Sequence, residues 1–208
     1  MARSPFVEVS QVVAELGESD QRVLVDVASR SLLESLVRGS TDLSWRRDLP
    51  LDWVPPHLMT DAATFVTLER AGRLLGCIGT MWPYQPLAVD VIEHTLAAAY
   101  RDPRFPGVTT DDVHALDLEI SVLGDQVPCP ARNRAELERL VRPGVDGVFV
   151  RTAEHRGTFL PAVWDDVPEP RAFFDALWHK AGLPPHTWPD DLEVSTYEVQ
   201  KIVGRGPR

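Results

Sequence analysis

The run Leu87-Ala-Val-Asp-Val-Ile-Glu-His-Thr-Leu-Ala-Ala-Ala-Tyr100 limits what this chain can fold into more than any other segment. Pro86 stands where a helix can begin. From there to Tyr100 the run is almost wholly apolar, broken by Asp90, Glu93 and His94. Those three, with Ala97 and Arg101, fall on one stripe at helical spacing, which is expected to be a narrow edge facing water. A helix apolar over the rest of its circumference must be packed on several sides. The fold therefore has to wrap other elements around residues 87–100. Asp102-Pro103-Arg104-Phe105-Pro106 ends the helix, since each proline disfavours helical backbone before it.

The elements that can do the wrapping are strands arriving as hairpins. Ala63 to Glu69 is rich in Phe, Val and Thr, and Leu74 to Thr80 returns after the turn Arg70-Ala71-Gly72-Arg73. Strict alternation along the returning strand puts Leu75, Cys77 and Gly79 on one face and Leu74, Gly76 and Ile78 on the other. Asp117 to Leu123 alternates too, with Leu118, Ile120 and Val122 inward. A second hairpin is expected from Val145 to Arg151 and from Gly157 to Leu160, and a last strand from Glu193 to Ile202. An amphipathic helix capped by Ser19 or Asp20 carries Leu24, Val27, Ala28, Leu32 and Leu36 and ends at Gly39. Two further helices are expected at Arg134–Val141 and Ala172–Ala181, the latter closed by Gly182. The segment from Thr41 to Pro56, with Trp45 and Trp53, reads as a loop packed by its own aromatics. Hairpins with helices between them predict an α+β fold, with a mixed or antiparallel sheet and flanking helices, in a larger lobe plus a smaller lobe. The expected organisation is a lead-in over residues 1–18, a single domain over 19–203 and a tail over 204–208.

A formal net charge of -10 and a pI near 5.0 argue against nucleic acid or an anionic membrane as partner. Residues 1–10 contain no apolar run of signal-peptide length, and no segment approaches a membrane span. Two cysteines, Cys77 and Cys129, are too few for a disulfide scaffold. A cytoplasmic, reduced protein is expected. The histidines show no metal-ligand spacing and no CxxC occurs, so neither a metal nor another cofactor is expected. Gly76-Cys77-Ile78-Gly79 lies in a strand and lacks the third glycine of a nucleotide fingerprint.

Cys77 is the candidate nucleophile or redox thiol, and Glu119, on the polar face of its strand, the candidate general acid–base. A reactive thiol needs a cation, a histidinium or a helix N-terminus beside it. The competing reading of Cys77 is a buried small hydrophobe.

The strand Leu74-Leu75-Gly76-Cys77-Ile78-Gly79 resembles the hallmark Leu-Arg-Gly-Cys-Ile-Gly of the AMMECR domain family, the A component of the Ammecr–Memo–radical-SAM system. The resemblance continues through Phe65-Val66-Thr67-Leu68, Ala98 to Phe105, Leu118 to Leu123, Pro143 to Gly147, Gly157 to Pro161, Val163-Trp164 and Lys180 to Leu183. It covers about residues 20–202 and implies an α+β fold of two lobes, without an established activity. It implies Memo-like and radical-SAM proteins as partners. The family-like polar segments suggest that Asp102, Arg104 and Thr158, with Gly76 and Gly79, line a ligand groove near Cys77. The sequence departs from the family at Leu75, where an arginine is usual, and at Ala162, where a glutamine is usual. Leu75 cannot stabilise a thiolate, which favours a binding or adaptor module over a cysteine-dependent enzyme subunit, or else a degenerate member whose site has lapsed.

Overall fold

The computed structural model describes residues 15–39 and 42–207. Most of the lead-in expected over residues 1–18, together with positions 40 and 41 of the expected loop, lies outside the described residues. In chain order the elements are α1 (Glu18–Arg38), β1 (Thr64–Arg70), β2 (Arg73–Gly79), α2 (Leu87–Tyr100), α3 (Thr110–Val113), β3 (Asp117–Leu123), β4 (Val127–Pro128), α4 (Arg134–Leu140), β5 (Gly147–Arg151), β6 (Arg156–Phe159), α5 (Val163–Asp166), α6 (Pro170–Ala181), β7 (Glu193–Tyr197) and β8 (Val199–Arg205). Two 3₁₀ turns, Ser44–Asp48 and Pro56–Met59, organise the tryptophan-containing loop. The architecture is α+β with two four-stranded antiparallel sheets, ordered β2-β1-β3-β8 and β4-β7-β5-β6. The described residues fall into two compact units, one within Ala14–Leu123 and Gln200–Arg208, the other within Gly124–Val199.

In the first unit α2 packs against α1, β1 and β2. Most of its apolar side chains are buried, as are Leu24, Val27, Ala28 and Leu32 of α1 and the inward residues Val66, Leu68, Leu118, Ile120 and Val122. The polar stripe of α2 does not face water as expected. Asp90 is 0% and His94 5% exposed. The reason is a closed polar cluster at the start of β1. The Thr64 N–H (2.9 Å) and hydroxyl (2.7 Å) both donate to Asp90 Oδ2, Gln85 Nε2 donates to Oδ1 at 2.9 Å, and His94 Nδ1 lies 3.0 Å from Oδ2. A buried carboxylate is tolerated when its lone pairs are filled in this way. Glu93 is taken up by Arg46, and of the stripe only Arg101 is exposed.

In the second unit α4, α6, β5 and β7 close on an aromatic core. Trp164 stacks on Phe173 with ring planes 1° apart, and Phe174 and Trp178 meet edge to face. The expected last strand proves to be two strands, in different sheets. Glu198 separates them: its carbonyl accepts the Gly124 N–H at 2.9 Å, outside the ladder of either strand. β8 then runs through Gly204 and Arg205, which the sequence placed in the tail, and the Gly206 N–H continues to the Leu116 carbonyl at 2.7 Å.

Candidate functional site

The site starts from a hairpin. Arg70 pairs with Arg73 across Ala71 and Gly72, whose φ values of 50° and 75° are those of a type I′ turn. Counting outward from that turn would bring Thr67 opposite Gly76. Instead the register shifts at Leu68/Glu69: Glu69 faces Leu74, Leu68 faces Gly76 and Thr67 faces Cys77. Leu75 is the extra residue of a β-bulge and is buried at 8% exposure. The strict alternation expected for this strand therefore fails at Leu75, while Gly79 keeps its place on the Cys77 face opposite Phe65.

The two glycines beside the thiol are packing points. A Cβ at Gly76 would overlap the Ala98 carbonyl of α2, and one at Gly79 would overlap the Phe65 ring and the Thr64 carbonyl. They admit a crossing helix and a neighbouring strand to the backbone, instead of opening space toward the sulfur.

Residues opposite one another in a ladder project from the same face. Cys77, Thr67 and Glu119 are successive partners across β2, β1 and β3, so they form one row. The Thr67 hydroxyl donates to Cys77 Sγ at 3.3 Å. At the far end of the row Lys201 of β8 holds the Glu119 carboxylate, Nζ to Oε2 2.5 Å. Thr67 thus stands between the thiol and Glu119. Cys77 and Glu119 are two strands apart, about 10 Å between backbones, and the carboxylate is already paired.

Asp102 and Arg104 meet Cys77 from the other side, at the open edge of β2. The Asp102 carboxylate, 1% exposed, accepts the Cys77 N–H at 2.9 Å and the Arg104 N–H at 3.1 Å. It also accepts a guanidinium fork, Nε to Oδ1 2.9 Å and Nη2 to Oδ2 2.6 Å. The same Nη2 donates to the Cys77 carbonyl at 3.0 Å. One residue of an edge strand is therefore gripped at both its backbone donor and its backbone acceptor by side chains that stand where another strand would pair. The Arg104 guanidinium pulls the Asp102 carboxyl well below the usual carboxylate range; the backbone N–H groups add to this and burial opposes it. Arg104 is in turn raised, chiefly by Asp102 and to a smaller extent by the nearby Cys77 thiol. A cation does stand near Cys77, at position 104, but it arrives already neutralised by Asp102.

Thr158 belongs to the second unit. Its hydroxyl donates to the Val148 carbonyl at 2.9 Å and lies 2.6 Å from the Tyr197 hydroxyl, which donates to the Phe159 carbonyl at 3.1 Å. Burial pushes the Tyr197 phenol up, partly offset by Thr158. The hydrogen bonds of Thr158 hold β5, β6 and β7 together. Of the residues selected from the sequence, the structure joins Cys77, Asp102 and Arg104 directly, sets Glu119 in the same row beyond Thr67, and commits Thr158 to the second sheet. Thr67 and Lys201 join the row without a sequence signal that marks them as site residues. Thr67 sits in a family-like segment, but its partner depends on the bulge; Lys201 lies far along the chain and carries no local signal.

Among the described residues no three His, Cys, Asp or Glu side chains are grouped as metal ligands, and no helix is long and apolar enough to cross a membrane. The AMMECR1 family model matches residues 25–202. A protein of Methanothermobacter thermautotrophicus is 37% identical over 192 residues, covering 90% of this chain and 94% of that one. A protein of Thermotoga maritima is 36% identical over 156 residues, covering 73% and 84%. The crystal structure of the uncharacterized protein PH0010 from Pyrococcus horikoshii is similar with a TM-score of 0.79 at 28% identity, over 93% of this chain and 99% of that chain. The chain belongs to the AMMECR1 family.

Proposed function

We propose that this protein is a binding or adaptor module whose contact surface is the row Cys77–Thr67–Glu119–Lys201, with Arg104 at its edge. The observation that carries this reading is the grip of Asp102 and Arg104 on the Cys77 peptide. A buried carboxylate and a guanidinium are devoted to fixing one edge-strand residue, which preorganises the half-buried thiol as a contact point. Catalysis is less well supported. A general base must reach the proton it takes, while Glu119 lies across Thr67 and is bound to Lys201. The partners in view are the Memo-like and radical-SAM proteins that the sequence resemblance implies.

The test is to titrate this protein with purified Memo-like and radical-SAM proteins of the same organism by calorimetry. Lys201→Glu and Cys77→Trp, both on the proposed face, are expected to weaken association at least tenfold, with the thermal midpoint monitored to establish folding. Equal affinities for wild type and both folded variants, or no association with either protein, would remove the reading. A second reading, a cysteine-dependent enzyme subunit, draws on the closeness of Arg104 to the thiol. It requires a turnover by the assembled partners that Cys77→Ser abolishes without weakening assembly.

A further inference from the structure

The first unit carries a groove of about 150 Å³ between α1 and the loop at positions 49–53, on residues that the proposed contact row does not use. Its floor is Val27 and Ile92, only 2% and 3% exposed, and Leu51 and Trp53 form a wall. An apolar cavity of about that volume takes one benzene-sized molecule.

Two charged residues stand at the groove, and they differ. The Glu34 carboxylate is held by Arg38 Nε at 2.7 Å, so its charge is compensated. Arg30 has no carboxylate partner among the described residues. Its guanidinium lies over Trp53, Cζ 4.4 Å from the ring centroid. Stacking holds the planar guanidinium in place and leaves its edge donors available to a bidentate acceptor. Apolar walls with one oriented polar group are the usual make-up of a small-molecule site.

We propose that this groove binds a small monocarboxylate with an aromatic or branched aliphatic body. The apolar body lies on Val27, Ile92 and Leu51, and the carboxylate takes two hydrogen bonds from Arg30, the geometry that guanidinium and carboxylate share. The proposal is independent of the Cys77 reading, because the groove lining includes none of the residues of that row or its clamp.

The test is a titration of the intact protein with benzoate, with benzyl alcohol as the neutral analogue, followed by NMR of the Ile92 methyls and the Trp53 indole. Benzoate is expected to shift both signals saturably in the millimolar range and to bind at least tenfold more tightly than benzyl alcohol. Arg30→Gln is expected to reduce benzoate to the affinity of benzyl alcohol. Leu51→Trp fills the groove and is expected to abolish both. Leu33, on the groove and 38% exposed, gives a second filling variant, Leu33→Trp, that leaves the core untouched. Absence of saturable shifts, equal binding of benzoate and benzyl alcohol to the wild type, or benzoate binding unchanged in the folded filling variants would overturn the assignment.

Discussion

Replacing Asp102 with alanine removes the acceptor for the Cys77 N–H and for the fork of Arg104. Hydrogen bonds to a charged group contribute about 1.5–3 kcal/mol each in favourable cases, and truncating one member of a buried ion pair costs about 3–5 kcal/mol. Both figures need reducing here, because the Arg104 side chain is 57% exposed and water can take over its charge. The Cys77 N–H is less easily rescued, since it faces the cavity the carboxylate leaves. A loss of about 2–4 kcal/mol is expected. Arg104→Ala is expected to do comparable harm for a different reason, leaving a nearly fully buried carboxylate with only backbone donors. The pair together should then cost less than the sum of the single changes, with a coupling of about 1–3 kcal/mol, the range for residues within one network. Chemical denaturation of the four proteins, with slopes compared to establish two-state unfolding, gives the cycle. A loss below about 0.5 kcal/mol for Asp102→Ala, or strict additivity of the two changes, would refute the view that the clamp holds this strand.

Three other outcomes follow from the same structure. The folded-state values of Asp102 and Asp112 lie below their ordinary value of 3.8, Asp102 through the Arg104 guanidinium and Asp112, at about 2, through Thr109 and Arg70. Their contribution to stability is therefore complete above pH ~4 and is lost as the pH falls through the folded values; acid titration of Asp112→Asn should show a flatter decline between pH ~4 and ~2 than wild type, and an identical decline would contradict this. Gly76→Ala drives a methyl into the Ala98 carbonyl and is expected to cost at least about 1–3 kcal/mol, read as a lowered denaturation midpoint. Ala71 occupies the left-handed region at φ 50°, so Ala71→Asn, better suited to the first central position of a type I′ turn, is expected to raise stability by about 0.5–1 kcal/mol; a lowered thermal midpoint would count against the assigned turn.

Much of the fold was legible because its determinants are local. The apolar run of α2, the proline stop after it, the hairpin turn at Ala71-Gly72 and the alternation of Leu118, Ile120 and Val122 each announce their element within a few residues. The expectation that Asp90 and His94 would face water failed because their partners, Thr64 and Gln85, lie outside the helix, and helical spacing carries no record of what a stripe packs against. The single final strand expected over Glu193 to Ile202 divides for a similar reason. Residues 193–202 are uniformly strand-like, and the break at Glu198 follows from which sheet each half joins. In the site, Asp102 and Arg104 were legible as a pair because only Pro103 separates them. Their grip on the Cys77 peptide was not, since it spans 25 and 27 residues of chain.

The bulge at Leu75 decides what kind of residue Cys77 is. In a regular ladder continued from the I′ turn, Cys77 would stand opposite Val66, whose side chain is fully buried among the inward residues of the sheet. A one-residue slip exchanges the two faces of a strand. The extra residue moves Cys77 opposite Thr67 instead, where it is half-buried and accepts that hydroxyl's hydrogen bond. A core position and a half-buried one for this thiol therefore differ by a single inserted residue. Leu75 is also where the sequence resemblance implies an arginine. A bulged residue is released from pairing with the neighbouring strand, so its side chain can change without disturbing the ladder that places the cysteine. With Leu75 buried and Arg104 already at the Cys77 carbonyl, an apolar residue at the bulge keeps the backbone geometry that presents the thiol. A leucine at this position accordingly bears on the chemistry of the sulfur and leaves the proposed contact row intact, which is why the function proposed for these residues is binding rather than catalysis.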